Sequence, residues 1–483
     1  MRYVTLVCLL FSTLHCNSWG RFWEVSPAEP ERSWYSYIGG PGLDNAQNVR
    51  QAADGGYYTL SLSQAAFTNL GGKTPLNSYT GLSDFFITKL AKDGELQWYT
   101  FFGTTADDWT HDLVPAADGG VLALGYTAGI SSSIAGVAPI YQAVSGSYGL
   151  VAKFNANGGV DWWTYFGGGG AQLRGAAATS DGGFIVVGFS NANFTNTSCT
   201  TPLVAHSGSQ FDVFVAKLSS TGVTQWCTFL GGSANDYGIQ VQQAVDGGYF
   251  VGAHFDANTG TLAGVSPLSS LSTFQGSQDM AMLKLTAGGS LSWWGYFGSV
   301  GADNLADFEV TADGGLVIAG MFGGNPGSIG SFTYTGSYGG GDDAVIIRMN
   351  SAGAIEWYRL YGGTGNDSIN GVAVSTDGGF IVSGRTGANI TSLYSLSPRR
   401  PYTAADDILL MRTDSAGTLQ WYSFYGGTGT DGGAGIAQAK DGGFIFSGTA
   451  AQEITDISKT APLLPYNAGN ETIVIKLKSD GGF

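Results

Sequence analysis

Six aspartates stand ten residues after a tryptophan: Asp44, Asp108, Asp236, Asp303, Asp367 and Asp431. Each ends a glycine-rich stretch such as YGGTGND, residues 361–367. If the repeating units close into a ring, these six carboxylates would surround the mouth of its central channel, where they could hold a hard cation such as calcium. Two carboxylates with pKa values pushed apart can also act as general acid and base, the chemistry of a polysaccharide hydrolase or lyase. A third use is structural, because an aspartate in a turn accepts hydrogen bonds from nearby backbone N–H groups. In the third copy of the pattern, Gln172 stands ten residues after the tryptophan. None of the loops carries acidic residues at the alternate positions that an EF-hand calcium loop requires.

Other reactive side chains are sparse. Tyr394, Arg399, Arg400 and Tyr402 form one local basic and aromatic cluster in a chain of net charge −16, and are candidate ligand-loop residues or a solvated loop tip. Beyond the first 20 residues the histidines are His111, His206 and His254, without metal-ligand spacing. GGKT at 71–74 resembles the end of a phosphate loop, but Phe67 occupies the place of its first glycine. No catalytic residue and no resident cofactor are expected. Cys199 and Cys227 are the cysteines outside the N-terminal segment and could form a disulfide.

The elements that position these residues repeat along the chain. Trp34, Trp98, Trp162, Trp226, Trp293, Trp357 and Trp421 begin units separated by 64 residues in five of six intervals, and by 67 in the other. Asp-Gly-Gly follows twenty residues on, at Asp54, Asp118, Asp246, Asp313, Asp377 and Asp441, and nineteen on at Asp181. Asp-Gly between two apolar runs is a hairpin signal, since glycine supplies the positive φ that tight turns need. Each unit carries four strand signals: a small-residue run, a run such as FIVVG, a run such as DVFVAKL, and the tryptophan strand. Seven such units predict an all-β chain folded as a seven-bladed β-propeller of four-stranded antiparallel blades. The last unit stops one strand short, at IVIKLKSDGGF, and the first begins with the extra strand ERSWYSYI. Pairing these two would close the ring and leave no open edge.

Two further positions recur. An acidic residue opens the third strand as Asp84, Asp212, Asp279, Asp343, Asp407 and Glu471, with Tyr148 as the exception. A cation follows five residues later in every unit, as Lys89, Lys153, Lys217, Lys284, Arg348, Arg412 and Lys476. Five residues apart on a strand places the two on opposite faces, so they are expected to bond turns or neighbouring blades rather than each other.

The combination W-x3-Y/F-GG-x3-D, then DGG-Y/F-I/V-x2-G, then D-x4-K/R-x4-G-x3-W resembles secreted β-propeller repeat proteins of the SBBP type, over residues 34–483. The resemblance implies the propeller fold and an exported or cell-surface protein, and little about activity. The N-terminus supports export. Arg2 followed by the apolar run Tyr3–Leu14 reads as a signal peptide over residues 1–20, leaving 21–483 as one propeller domain. The acidic balance argues against nucleic acid and anionic membranes as partners, and no segment predicts a membrane span. A monomer is expected. Connectors of about twenty residues join the second and third strands, among them 191–210 and 386–405, and six of the seven carry a proline about 41 residues after the tryptophan. Long ordered loops on a rigid scaffold are common ligand sites. The leading expectation is therefore a non-enzymatic scaffold that binds an extracellular glycan or protein. A carboxylate-dependent hydrolase or lyase and a purely structural repeat protein are the alternatives.

Overall fold

Asp-Gly-Gly does two jobs in every blade. In the second blade, Gly119 takes φ +86° and the Asp118 carboxylate accepts the Gly120 N–H at 2.9 Å. The same carboxylate lies 2.9 Å from Lys153 Nζ. A Cβ on Gly120 would stand 2.5 Å from that nitrogen and 2.1 Å from the Phe154 carbonyl, so only glycine lets the ammonium reach the turn. The pairing recurs as Lys89–Asp54, Lys217–Asp181, Lys284–Asp246, Arg348–Asp313, Arg412–Asp377 and Lys476–Asp441. The third-strand cation thus pairs within its own blade, with the hairpin turn rather than with a neighbouring blade. Most of these aspartates are more than half exposed, but Asp441 is 20% exposed and Lys476 1%. Removing one partner of a buried pair strands the other charge. We expect Asp441→Ala to cost about 3 kcal/mol and Asp118→Ala at most about 1 kcal/mol, read by denaturant unfolding.

The computed structural model describes residues 31–483, apart from 144–145, 168–169, 195–198, 270, 272, 337, 456 and 459–460. The expected signal peptide lies outside the described residues. Among those described there are seven four-stranded antiparallel sheets, one small extra hairpin (Ser328–Ile329 with Phe332–Thr333) and no helix. Blades one to six each take four strands in chain order, from Asp44–Gln51 through Leu96–Phe102 in the first. The seventh takes Gly432–Gln438, Phe444–Ala450 and Glu471–Leu477, and is completed by Trp34–Ile38 from the other end of the chain. Trp34 pairs with Lys476 and Ile38 with Thr472. The ring closes as expected.

The repeated tryptophan links neighbouring blades. Trp98 Nε1 donates to the Ala156 carbonyl at 3.0 Å, and Trp162 to that of Ser220 at 3.0 Å, both on the next blade. The core lies between blades. In the contact of blades two and three, Leu122, Phe166, Leu173, Phe184, Phe214 and Phe229 are all buried.

Candidate functional site

The glycine-rich stretches are the crossings from the outer strand of one blade to the inner strand of the next. Their aspartates do not open onto the channel. Asp44, Asp108, Asp303, Asp367 and Asp431 are 0% exposed and Asp236 is 1% exposed. Each accepts a backbone N–H four residues upstream: Gly40 to Asp44, Thr104 to Asp108, Gly232 to Asp236, Ser299 to Asp303, Gly363 to Asp367 and Gly427 to Asp431, at 2.5–2.7 Å. The crossing folds around its own carboxylate.

Each crossing aspartate also faces the acidic residue that opens the third strand of the preceding blade. The pairs are Asp84 with Asp108, Asp212 with Asp236, Asp279 with Asp303, Asp343 with Asp367, Asp407 with Asp431, and Glu471 with Asp44. In YGGTGND a Cβ on Gly362 would stand 2.7 Å from Asp343 Oδ1 and 2.9 Å from Asp367 Oδ2, which is why glycine opens the turn. Burial raises these acids, to about 6 for Asp44, Asp84, Asp303, Asp343 and Asp407, about 7 for Asp108 and Glu471, and about 8 for Asp236. Oδ1 of Asp212, Asp236, Asp343 and Asp367 is buried without a hydrogen-bond partner. Two buried carboxylates so placed favour sharing a proton over carrying two charges. Among the described residues no group of three or more His, Cys, Asp or Glu is arranged to hold a metal.

The exceptional crossing needs a correction. Gln172 pairs with Phe189, whereas in the second blade Asp108 pairs with Thr127, one register step further along. Ala171 therefore holds the aspartate's place, and its Cβ is what a Cβ on Gly167 would meet. The crossing is one residue shorter, so counting from the tryptophan selects the wrong residue. The facing third strand opens with Tyr148, so both acids are replaced at the same crossing.

The connectors do not stand free above the ring. Each runs down the outside of its blade and bonds the outermost strand. Leu76, Ile140, Leu203, Leu268, Arg399 and Leu463, each just after the repeated proline, donate to the carbonyls of Tyr99, Trp163, Cys227, Trp294, Tyr422 and Tyr35 at 2.7–2.9 Å. Thr335 makes the equivalent bond to Tyr358 at 3.3 Å. The straps cover edges that would otherwise be open to further strands. Cys199 and Cys227 form a disulfide, Cα–Cα 5.9 Å, that ties the third strap to its strand. It closes a 28-residue separation, so reduction should lower stability by about 3.5 kcal/mol in the chain-entropy account, read as a lower melting temperature in dithiothreitol that Cys199→Ser reproduces.

The basic and aromatic cluster divides among these straps. The Tyr394 hydroxyl lies 2.7 Å from the Thr335 carbonyl and 2.8 Å from that of Leu360, on the preceding blade. Arg399 stacks on Trp421, 4.5 Å from the ring centroid, and Arg400 on Tyr425 at 5.3 Å. The Tyr402 hydroxyl bonds the Ala405 carbonyl in its own turn. Only the two arginines share a groove, of about 560 Å³, with Phe424 and Glu453.

The central channel carries side chains that the repeat pattern leaves unexplained. Every inner strand is interrupted by a β-bulge at the same level. A bulge inserts one residue and re-aims its neighbours. The bulged residues differ from blade to blade: Gln47, His111, Arg174, Ile239, Ala306 and Asn370 in the first six. They line an inner cavity of about 220 Å³, continuous through Gln47, His111, Asn304, Ala306 and Asn370 with an outer one of about 500 Å³. Just beyond the bulges a polar plug crosses the axis. Asn48 Nδ2 donates to Asp112 Oδ1 at 2.6 Å, and Asp112 Oδ2 accepts the Ala176 N–H at 3.0 Å. Asp307 Oδ2 likewise accepts the Val372 N–H at 3.1 Å. Glycines at 175 and 435 leave the room, because a Cβ there would stand 2.6 Å from Gln240 Oε1 and 2.1 Å from Asn48 Oδ1. Burial raises Asp112, and raises Asp307 to about 6 and Glu309 to about 7.

On the crossing side of the plug, His111 and Arg174 of the channel wall stand against aromatic rings. Trp109, 41% exposed, stacks on Tyr126 with ring centroids 6.2 Å apart, and His111 stacks on the same Tyr126 at 5.8 Å. Arg174 lies over Phe189 at 5.4 Å, and Phe189 meets Tyr237 edge-on. The sequence reading missed this wall. The repeat pattern did not single it out, since the residue three past the crossing aspartate differs between copies and so do its neighbours.

No family model matches the chain, and no curated protein matches it. Among solved structures it is similar to a protein of unknown function from Dyadobacter fermentans, at 13% identity and TM-score 0.43, covering 92% of this chain and 98% of that one. It is also similar to a fungal alcohol oxidase of the AA5 family in complex with copper (12% identity, TM-score 0.43, 93% and 78% covered). A third is the NanB sialidase of Streptococcus pneumoniae (8% identity, TM-score 0.40, 92% and 70% covered). None of these likenesses assigns an activity.

Proposed function

We propose that this is an exported, SBBP-like β-propeller that binds a glycan in the funnel of its central channel, entered from the crossing face. One observation carries the reading: the exposed Trp109 and the half-buried Tyr126 stack beside His111, which lines the inner cavity together with unlike polar side chains from other blades. Ligand sites combine aromatic surface with a few fixed polar groups in a concave place. The rest of each blade is occupied in holding itself together, since straps cover the edges and ion pairs hold the turns. The crossing carboxylates, buried against their own backbone, offer nothing to a hydrolase or lyase mechanism. The protein acts as a monomer outside the cell or at its surface, and the first 20 residues direct it there.

The test is a glycan array on the intact exported chain, repeated with Trp109→Ala. Saturable binding lost in Trp109→Ala supports the reading. Binding that survives Trp109→Ala but is lost when Arg399 and Arg400 are replaced moves the site to the strap groove. Capture of a protein partner with no glycan bound favours a protein scaffold, and no saturable ligand at all favours a structural repeat.

A further inference from the structure

Arg174 is an unusual residue in this molecule. Each cation that opens onto an Asp-Gly-Gly turn meets a carboxylate, yet Arg174 donates from Nη2 to the neutral side chain of Gln172, at 3.0 Å. Its Nε is buried and without a hydrogen-bond partner, and so is Nε2 of His111 across the same cavity. The ionisable groups that face it are His111, His254, Tyr126 and Tyr237, none of them an anion at neutral pH. The nearby carboxylates Asp112 and Asp307 are taken up by the plug, where Arg50 is the cation that acts on them. Burial lowers the Arg174 pKa, the mark of a charge held in poor solvent. A buried polar atom without a partner calls for a reason, and one on a half-buried cation more so.

Resting on the glycan reading above, we infer that the inner cavity receives the carboxylate of an acidic sugar, bound by Arg174 and His111, with the sugar ring against Trp109 and Tyr126. Guanidinium with carboxylate is a strong pairing, because planar donors meet two oxygens. The cavity size agrees. At about 220 Å³ it lies below the roughly 300–1,000 Å³ of drug-sized pockets, which suits one charged monosaccharide unit. The outer cavity of about 500 Å³ would take its neighbour. His254 is not free to join, since its Nε2 accepts the Leu305 N–H at 2.8 Å.

The experiment follows tryptophan fluorescence of the full chain titrated with D-glucuronate, D-glucose and sulfate. Glucuronate should saturate, with glucose at least about tenfold weaker. Arg174→Gln should weaken glucuronate by about tenfold or more, and Arg174→Lys should recover part of the loss. The melting temperature separates binding from structure. Arg174→Gln relieves a half-buried charge that has no carboxylate partner, so the variant should melt at or above the wild-type temperature. Glucuronate binding within about twofold of wild type in Arg174→Gln overturns the inference, as does a lower melting temperature in both arginine variants with binding intact. If glucose and glucuronate bind equally and Trp109→Ala abolishes both, the glycan reading stands and this inference falls. If sulfate saturates with the same dependence on Arg174 while neither sugar binds, both fall and an inorganic-anion site is left.

Discussion

Deleting residues 31–38 is expected to leave a chain that no longer folds to a soluble ring. The segment is the outermost strand of the seventh blade, paired along Trp34–Ile38 with Glu471–Leu477. Without it the third strand of that blade becomes an open edge whose strap has lost its partners, because Leu463 and Leu464 bond Tyr35 and Tyr37. Open, flat, apolar edges recruit other chains. The loss is also one of core. Trp34, Tyr35, Tyr37 and Ile38 are all at most 6% exposed. Tyr37 meets Tyr35 and Tyr466 edge-on at 6.2 and 5.4 Å, and its hydroxyl accepts the Ile454 N–H at 2.7 Å. Tyr37→Ala alone should cost about 3–5 kcal/mol, since it leaves a cavity and an unpaired N–H. Gel filtration and thermal unfolding by circular dichroism check both. A deleted chain that runs as a monomer and melts at the wild-type temperature would refute this account of closure.

What the sequence made legible was what repeats. Trp34 to Trp421 marked the blades because each indole packs against a turn glycine of the next blade, and Asp-Gly-Gly marked the hairpins because φ there is positive. The partner of the third-strand cation was not legible. Lys153 and Asp118 lie 35 residues apart in sequence and meet because the hairpin turn folds back beside the third strand. Nor were the connectors, whose proline reads as loop stiffness when the deciding feature is the backbone bond formed by the residue after it. The exception at Gln172 was misplaced by one because a deletion inside a crossing does not alter the flanking motifs. The channel wall depended on the bulges. One inserted residue decides whether Arg174 or its neighbour faces the axis, and no side-chain pattern announces the insertion.

The melting temperature should be highest near pH 4–5 and fall by about 5 °C or more by pH 8.5. An aspartate free in the unfolded chain titrates near about 3.9, whereas burial raises Asp236 to about 8 and Asp108 to about 7. Between those values the folded state holds protons that the unfolded state has released. Stability from these groups is therefore complete below about pH 4 and is lost as pH rises through 6–8, the folded range of the crossing acids. The hairpin aspartates act oppositely. Asp54, Asp118, Asp246, Asp313 and Asp377 are lowered, held by the recurring cation and by turn N–H groups, so their contribution is lost only as pH falls below the ordinary carboxylate range. The two sets together place the maximum on the acid side. Asp236→Asn isolates the effect, because an amide imitates the protonated acid: its oxygen can keep the Gly232 N–H and its nitrogen can donate to Asp212 Oδ1. The variant should match wild type at pH 5 and melt higher at pH 8.5, flattening the profile. Lower stability of Asp236→Asn across the whole range, or a wild-type profile that rises from pH 5 to 8.5, would show that the pair is held ionised. A calcium arm identifies what then holds it. If millimolar calcium raises the wild-type melting temperature at pH 8.5 and not that of Asp236→Asn, the crossings carry a cation where we place a proton. The crossing with Tyr148 and Ala171 already dispenses with both acids, and it is the one site in the ring where either occupant would have nothing to bind.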